Sequence, residues 1–212
     1  MLDNPLDATA VRVLGALIEK EFTTPDAYPL TINALVAACN QTSNRDPVMQ
    51  LDEATVTQTI ADLTRRDLVH QVLKADMRAK RFRQVMSEKM HLHTAETAVM
   101  CVLMLRGPQT AGEIRSRTGR MHEFNELAQV ELTLQGLMTL PAPIVVQLPR
   151  QPGQKDARYA HLLSGAPDIR TPEAHADRGI VAQSRLEKLE EEVEVIRQEL
   201  AELKRRFDEL MS

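Results

Sequence analysis

The chain has 212 residues, of which 43% are hydrophobic, so it is long enough and apolar enough for one or two packed domains. Its formal net charge of −4 argues against a generic nucleic-acid binder, which would carry a basic excess. No apolar run approaches the roughly 20 residues of a membrane span, and the N-terminus lacks the basic and apolar segments of a signal peptide. We therefore expect no membrane association. Because the two cysteines lie in apolar helical patterns and have no CxxC spacing, we expect buried free thiols and a cytoplasmic location.

Three helices and a hairpin are predicted in the first 90 residues. Apolar residues recur at helical spacing in ATAVRVLGALIEKE (8–21), TINALVAAC (31–39) and DEATVTQTIADLTRRDLV (52–69). Thr31 is placed to cap the second of these helices. The strand-like segments VHQVLK (69–74) and KRFRQVM (80–86) flank ADMRA, which predicts a β-hairpin.

The same order of elements is predicted again between residues 96 and 163. Thr110 and Glu113 form the T-x-x-E pattern of a capping box, and Gly119 can end that helix in a left-handed conformation. Asn125 is predicted to cap a third helix. The flanking helices and strands are ETAVMCVLMLRG (96–107), NELAQVELTLQGLMTL (125–140), IVVQL (144–148) and RYAHLL (158–163).

The two predicted sets of elements can be placed in register, with Val11 matching Val99 and Val56 matching Val130. The offset changes only between helices, so the first copy has longer loops. We therefore predict a mainly α fold with small β-hairpins, an α+β chain of two tandem winged-helix domains followed by a C-terminal coiled-coil helix. The boundaries are 1–90 for the first domain, 91–163 for the second, 164–180 for a linker and 181–212 for the coiled-coil helix.

Three long segments carry a family resemblance. They are LIEKEFTTPDAYPLTINALVAACNQTSNRDPV (17–48), AVMCVLMLRGPQTAGEIRSRTGRMHEF (98–124) and LPRQPGQKDARYAHL (148–162). Through them, nearly all of residues 8–163 resembles the YceH family of bacterial proteins. The resemblance implies two winged-helix domains and brings no biochemical activity to this chain.

The first copy contains the better candidate for DNA contact. In a winged helix the third helix usually enters the major groove and the hairpin touches the backbone or the minor groove. We expect Thr55, Gln58 and Thr59 to face base edges. The candidates for phosphate contact are basic residues at the end of that helix and in the hairpin, namely Arg65, Arg66, Lys74, Arg78, Lys80, Arg81 and Arg83. The alternative is a solvated hairpin whose charges only keep it soluble.

The second copy is a weaker DNA candidate because its third helix is acidic, with Glu126 and Glu131 and no basic residue. Packing on a partner or on the other domain is favoured there. In the long loop NQTSNRDP (40–47), we interpret Arg45 as paired with Asp46 or another neighbour within a turn. A specific contact presented by that loop is the alternative.

Recognisable catalytic motifs are absent from the sequence. Glu19 and Glu21 are interpreted as helix-surface charges. His91 and His93 would share a face on a strand, but no Cys or second His pair lies nearby in sequence to complete a zinc site. We therefore expect no enzyme, no catalytic residue, no cofactor and no metal.

The C-terminal segment carries an unbroken heptad pattern. Its apolar positions alternate by three and four, and they are Leu186, Leu189, Val193, Ile196, Leu200, Leu203, Phe207 and Leu210. A parallel pair brings Arg185 against Glu190, whereas a centred antiparallel pair brings Glu192 against Glu199. We therefore predict a parallel homodimer. A trimer, or a helix that packs on its own domains or on a different chain, are the alternatives.

Together these patterns predict a dimeric, cytoplasmic tandem winged-helix protein that binds double-stranded DNA, as a transcriptional regulator. The alternative is a protein-binding adaptor whose winged helices make no DNA contact. The acidic C-terminal segment, with eight basic and twelve acidic residues from position 166, and the acidic third helix of the second copy favour the adaptor.

Overall fold

The computed structural model describes residues 4–72, 79–150 and 153–167. Its helices are α1 (Ala8–Thr23), α2 (Ile32–Cys39), α3 (Glu53–Arg65), α4 (Met86–Lys89), α5 (Thr94–Arg106), α6 (Ala111–Thr118) and α7 (Leu127–Met138). Its strands are β1 (Val69–Val72), β2 (Arg81–Gln84), β3 (Gln109–Thr110), β4 (Val145–Gln147) and β5 (Arg158–His161). This content confirms a mixed α+β class. Within the described ranges, every helix is too short or too polar to cross a membrane.

The first half consists of α1, α2 and α3 followed by the antiparallel hairpin β1–β2. The cap predicted at Thr31 is confirmed, since its hydroxyl oxygen accepts a hydrogen bond of 3.3 Å from the amide of Ala34. The third helix is shorter than predicted. It ends at Arg65 because Asp67 adopts a left-handed conformation, with φ of 56°, and turns the chain into β1.

The second half repeats the order with α5, α6 and α7 and the antiparallel sheet β3–β5–β4. The capping box is confirmed, since Thr110 Oγ1 accepts from the Glu113 amide at 3.2 Å and Glu113 Oε2 from the Thr110 amide at 2.8 Å. Two other predictions are wrong. Gly119 keeps a right-handed helical conformation, with φ of −54°. Glu126, not Asn125, is the residue at the N-cap of α7.

Helices α1 and α5 pack against each other and lie at the centre of the described residues. Their buried side chains belong to one apolar core that continues through both halves, and the described residues form one compact unit. Both cysteines are free and buried, as expected. Burial raises the pKa of the Cys39 thiol to about 12, so this thiol stays protonated at neutral pH.

Close approach of the two central helices depends on Gly15. A Cβ atom at this position would lie 3.0 Å from Leu105 Cδ2 and 3.3 Å from Met104 Cβ. The Cys101 thiol also reaches the Gly15 carbonyl oxygen at 3.5 Å, so the backbone of α1 itself contacts α5. A larger residue at position 15 would therefore require Leu105 and Met104 of α5 to shift.

We expect Gly15→Val to lower the free energy of unfolding by about 1–3 kcal/mol, because overpacking a tight interface forces side chains out of their preferred rotamers. Urea denaturation followed by circular dichroism measures this change. Gly112→Val is the matched control, since the nearest atom to a Cβ there is 4.0 Å away, and it should change stability by less than about 0.5 kcal/mol. Equal stability of the two variants would contradict the role given to Gly15.

Candidate nucleic-acid interface

The exposed face of α3 contains the three residues predicted to face DNA bases. Thr55 and Gln58 are exposed and Thr59 is half-buried. The helix begins here because Asp52 caps it, its carboxylate accepting from the Thr55 amide at 2.7 Å. Thr59 donates its hydroxyl proton to the Thr55 carbonyl oxygen at 2.7 Å, so its side chain is already oriented. The side-chain amide of Gln58 has no hydrogen-bond partner within the described ranges, so it can donate or accept hydrogen bonds.

The two arginines at the end of α3 share one carboxylate. Arg65 Nη2 lies 3.1 Å from Asp62 Oδ1, and Arg66 Nε lies 2.7 Å from Asp62 Oδ2. Arg66 also donates to the carbonyl oxygen of Asn4 at 3.1 Å, which ties α3 to the N-terminal segment. The Arg65 side chain is 70% exposed. Because an exposed ion pair contributes only about 0–1 kcal/mol, Arg65 can exchange Asp62 for a phosphate at little cost.

The cations of the first hairpin differ in the contacts that they make within the fold. Arg81 donates to the Pro29 carbonyl oxygen at 2.7 Å, holding the segment before α2 against β2. Arg83 lies 2.6 Å from Glu88 and, through that hydrogen bond, holds the pKa of the Glu88 carboxyl below its usual value. Lys80 is exposed and has no partner among the described residues.

Lys74 and Arg78 lie outside the described residues. Five of the residues predicted to contact phosphate are described. Two of them, Lys80 and Arg65, are exposed and make no strong contact within the fold. The other three stabilise the first half itself through Asp62, Glu88 and backbone carbonyl groups. These cations are close together in the sequence, but those that are described make different contacts in the fold.

The corresponding face of the second half, on α7, has a different character. Leu132 is 72% exposed and Leu127 is 41% exposed. Glu131 and Gln135 are exposed on the same helix. An exposed leucine next to carboxylate and amide groups is better suited to contact a protein partner than the phosphate backbone of DNA.

A buried ion pair in the first half was missed by sequence reasoning. Arg45 forms a bidentate pair with Glu19, with Nη1–Oε1 at 3.0 Å and Nη2–Oε2 at 2.6 Å. Arg45 is 5% exposed and Glu19 is 9% exposed, so the interpretation of Glu19 as a helix-surface charge is wrong. Burial is the largest single effect on the pKa of Glu19 and raises it, but the hydrogen bond and positive charge of Arg45, together with Lys20, leave this pKa below its usual value.

The loop of residues 40–47 is fixed by contacts with both halves. On one side, Arg12 donates to the Pro47 carbonyl oxygen at 2.6 Å. On the other, the Asp46 amide donates to the Leu105 carbonyl oxygen at 2.9 Å, and Arg106 donates to Asn44 Oδ1 at 2.8 Å. Arg45 also donates to the carbonyl oxygen of the neighbouring Asn44 at 2.9 Å. Its main partner, however, is Glu19 on α1.

One signal in the sequence pointed to this arrangement. Arg12 and Glu19 are seven residues apart and flank the apolar stretch of residues 13–18, so they share a helix face that lies close to the core. Charged residues at such positions need partners when they are buried. The partner of Glu19 could not be read from the sequence, because it lies 26 positions away in a loop.

The two histidines at the junction do not share a strand. His91 has a left-handed conformation with φ of 53°, and His93 is the N-cap residue of α5. The His93 amide donates to Glu96 Oε2 at 2.8 Å, which completes the start of that helix. Within residues 4–72, 79–150 and 153–167, no group of three or more His, Cys, Asp or Glu side chains is arranged to hold a metal ion.

Comparison with known proteins places the chain in a family. The family model described as "Protein of unknown function, DUF480" matches residues 6–154. A UPF0502 protein of Azoarcus sp. (strain BH72) is 47% identical over 206 residues, which cover 96% of this chain and 91% of the relative. A UPF0502 protein of Geotalea uraniireducens (strain Rf4) is 47% identical over 214 residues, covering 98% of this chain and 97% of the relative. The chain therefore belongs to the DUF480 (UPF0502) family of bacterial proteins.

Proposed function

We propose that this chain is a cytoplasmic, homodimeric DNA-binding protein built from two tandem winged-helix domains, and that it acts as a transcriptional regulator. The repeated order of three helices and a hairpin supports the winged-helix assignment. The observation that carries the DNA proposal is the exposed face of α3, with Thr55 and Gln58 open to solvent. Side chains of these two types can hydrogen-bond to base edges in the major groove.

The accessible cations set the expected strength of binding. Arg66, Arg81 and Arg83 already serve internal contacts, so Arg65 and Lys80 provide the described phosphate contacts of the first half. Two contacts per chain give weak binding with a shallow salt dependence, a slope of about −2 per chain. Joining two chains would raise the overall affinity, because the second half-site then binds at a high effective concentration.

The heptad pattern of residues 181–212 supplies the proposed means of dimerisation. This segment lies outside the described residues, and its sequence alone supports a coiled coil. Apolar side chains at the first and fourth heptad positions favour a coiled coil, and the charges beside them favour the parallel orientation. Each such charge pair contributes only about 0.3–0.5 kcal/mol, so the apolar seam provides most of the stability.

One observation favours the adaptor as a second candidate. Leu132 and Leu127 are exposed on α7, the helix equivalent to the DNA-facing α3. A protein partner that covers these leucines would remove apolar surface from water, whereas DNA would meet Glu131 nearby. Both functions are compatible with one chain only if the two halves bind different partners.

Fluorescence anisotropy with random-sequence duplex DNA at several salt concentrations tests the DNA proposal. We expect binding that weakens as salt rises, because phosphate contacts release counterions. The variant Arg65→Ala with Lys80→Ala should lower the salt slope by about 2 per chain, about 1 for each phosphate contact removed. The matched control removes two exposed cations of the second half, Arg115→Ala with Lys155→Ala, and should keep the slope. No binding at low salt would reject the proposal and favour the adaptor.

Light scattering tests the homodimer. Leu203→Lys with Leu210→Lys places two charges in the apolar seam and should give monomers, because burying an unpaired ammonium group costs several kcal/mol. Gln198→Lys with Ala201→Lys adds the same charge outside the seam and should leave the dimer intact. A wild-type mass for the first variant would show that the seam does not join two copies.

A further inference from the structure

A small cavity lies where α1, the loop of residues 40–47, α5 and α6 meet. Its volume is about 40 Å³, and it is lined in part by Glu19 and Asn44 from the first half and by three arginines from the second, Arg106, Arg117 and Arg120. None of these arginines belongs to the DNA-facing surface on α3. Their convergence on one cavity is therefore a separate feature of the fold.

The charge in this cavity is unbalanced. The carboxylate of Glu19 is already paired with Arg45 at 2.6 Å, so it offers little compensation to the lining arginines. Arg106 donates to a neutral amide oxygen, Asn44 Oδ1, at 2.8 Å. Arg117 lies 3.7 Å from Glu113, too far for a strong hydrogen-bonded pair. Arg120 is exposed at the rim and has no partner among the described residues.

The lowered pKa of Arg106 agrees with an excess of positive charge in this cavity. Its pKa is lowered first by burial and then by the positive charge of Arg117. The carboxylates of Asp46 and Glu113 oppose this shift, but they do not cancel it. A like-charge pair held together in a half-buried site is stabilised when an anion binds between the two groups.

We propose that this cavity binds the phosphate group of an anionic ligand, with Arg106, Arg117 and Arg120 as its hydrogen-bond donors. Guanidinium groups match phosphate oxygens in bidentate geometry and remain charged at neutral pH. Since one water needs about 10–15 Å³, a cavity of about 40 Å³ admits a single oxyanion group but not a whole nucleotide. The rest of the ligand would project outward past Arg120. This inference is independent of the DNA proposal.

A ligand at this position would contact both halves at once. Arg106 is already bonded to Asn44, which lies in the loop fixed by the Arg45–Glu19 pair. Arg117 belongs to α6, the helix that precedes α7. Binding would therefore join the first-half loop to the second-half helices and should stabilise the folded chain as the ligand concentration rises.

Line broadening in ³¹P spectra of inorganic phosphate, titrated with the full chain at constant ionic strength, tests the site. We expect saturable binding that Arg117→Gln with Arg120→Gln weakens at least about tenfold, because two charge-assisted donors are lost. The control Arg115→Gln with Lys155→Gln removes two exposed cations that do not line the cavity and should weaken binding less than about twofold. Far-UV circular dichroism checks that each variant is folded.

No saturable broadening with the wild-type chain, or an equal loss in the control, would overturn the proposal. If the double variant is unfolded, Arg120→Gln alone provides the test, since that side chain is exposed; it should weaken binding about threefold, and wild-type affinity would overturn the proposal. Competition by duplex DNA identifies the source of the phosphate. Displacement assigns the site to the DNA backbone, and its absence assigns it to a small phosphate-bearing molecule. The variant Arg65→Ala with Lys80→Ala should bind phosphate normally, which separates this site from the surface on α3.

Discussion

The buried pair between Arg45 and Glu19 organises the part of the chain that the structure describes. Removing two charges from water is costly, and here the cost is offset by bidentate geometry and by further bonds from Arg45 to carbonyl and amide oxygens. Those bonds fix a loop that would otherwise be free to vary. The loop then offers Asn44 and the Asp46 amide to α5, so a contact within the first half determines how the second half attaches.

The close packing of α1 on α5 makes the two halves depend on each other. Gly15 brings the helices together, and the loop of residues 40–47 closes over one end of their interface. Consequently the exposed faces of α3 and α7 belong to one compact unit rather than to two independent modules. Such a unit can present two different surfaces, one polar with accessible cations and one with exposed leucines, to different partners.

Local sequence patterns predicted the elements well because their causes are local. The T-x-x-E pattern at Thr110 specified a capping box, and apolar spacing specified each long helix. The predictions that were wrong, at Gly119 and at the end of α3, also have local physical reasons. Gly119 permits a left-handed conformation but does not require one, and the end of α3 depended on the backbone at Asp67.

The candidate sites were harder to predict because they depend on which charges meet in space. The sequence predicted Arg81 and Arg83 as free phosphate contacts. In the structure, Arg81 binds a backbone carbonyl group and Arg83 binds Glu88. Arg106 and Arg117 lie on different helices and gave no motif, although they line one cavity. Pairing of this type is set by tertiary contacts, which composition and periodicity do not encode.

A double-mutant cycle between Glu19 and Arg45 tests most directly whether their pair holds the junction together. Urea denaturation would give free energies of unfolding for Glu19→Gln, Arg45→Gln and the double variant. Each single change should cost about 3–5 kcal/mol, because it leaves a buried charge unpaired, and the double variant should cost at least about 2 kcal/mol less than the sum. Single losses below about 1 kcal/mol, or strictly additive losses, would show that this pair does not hold the junction together.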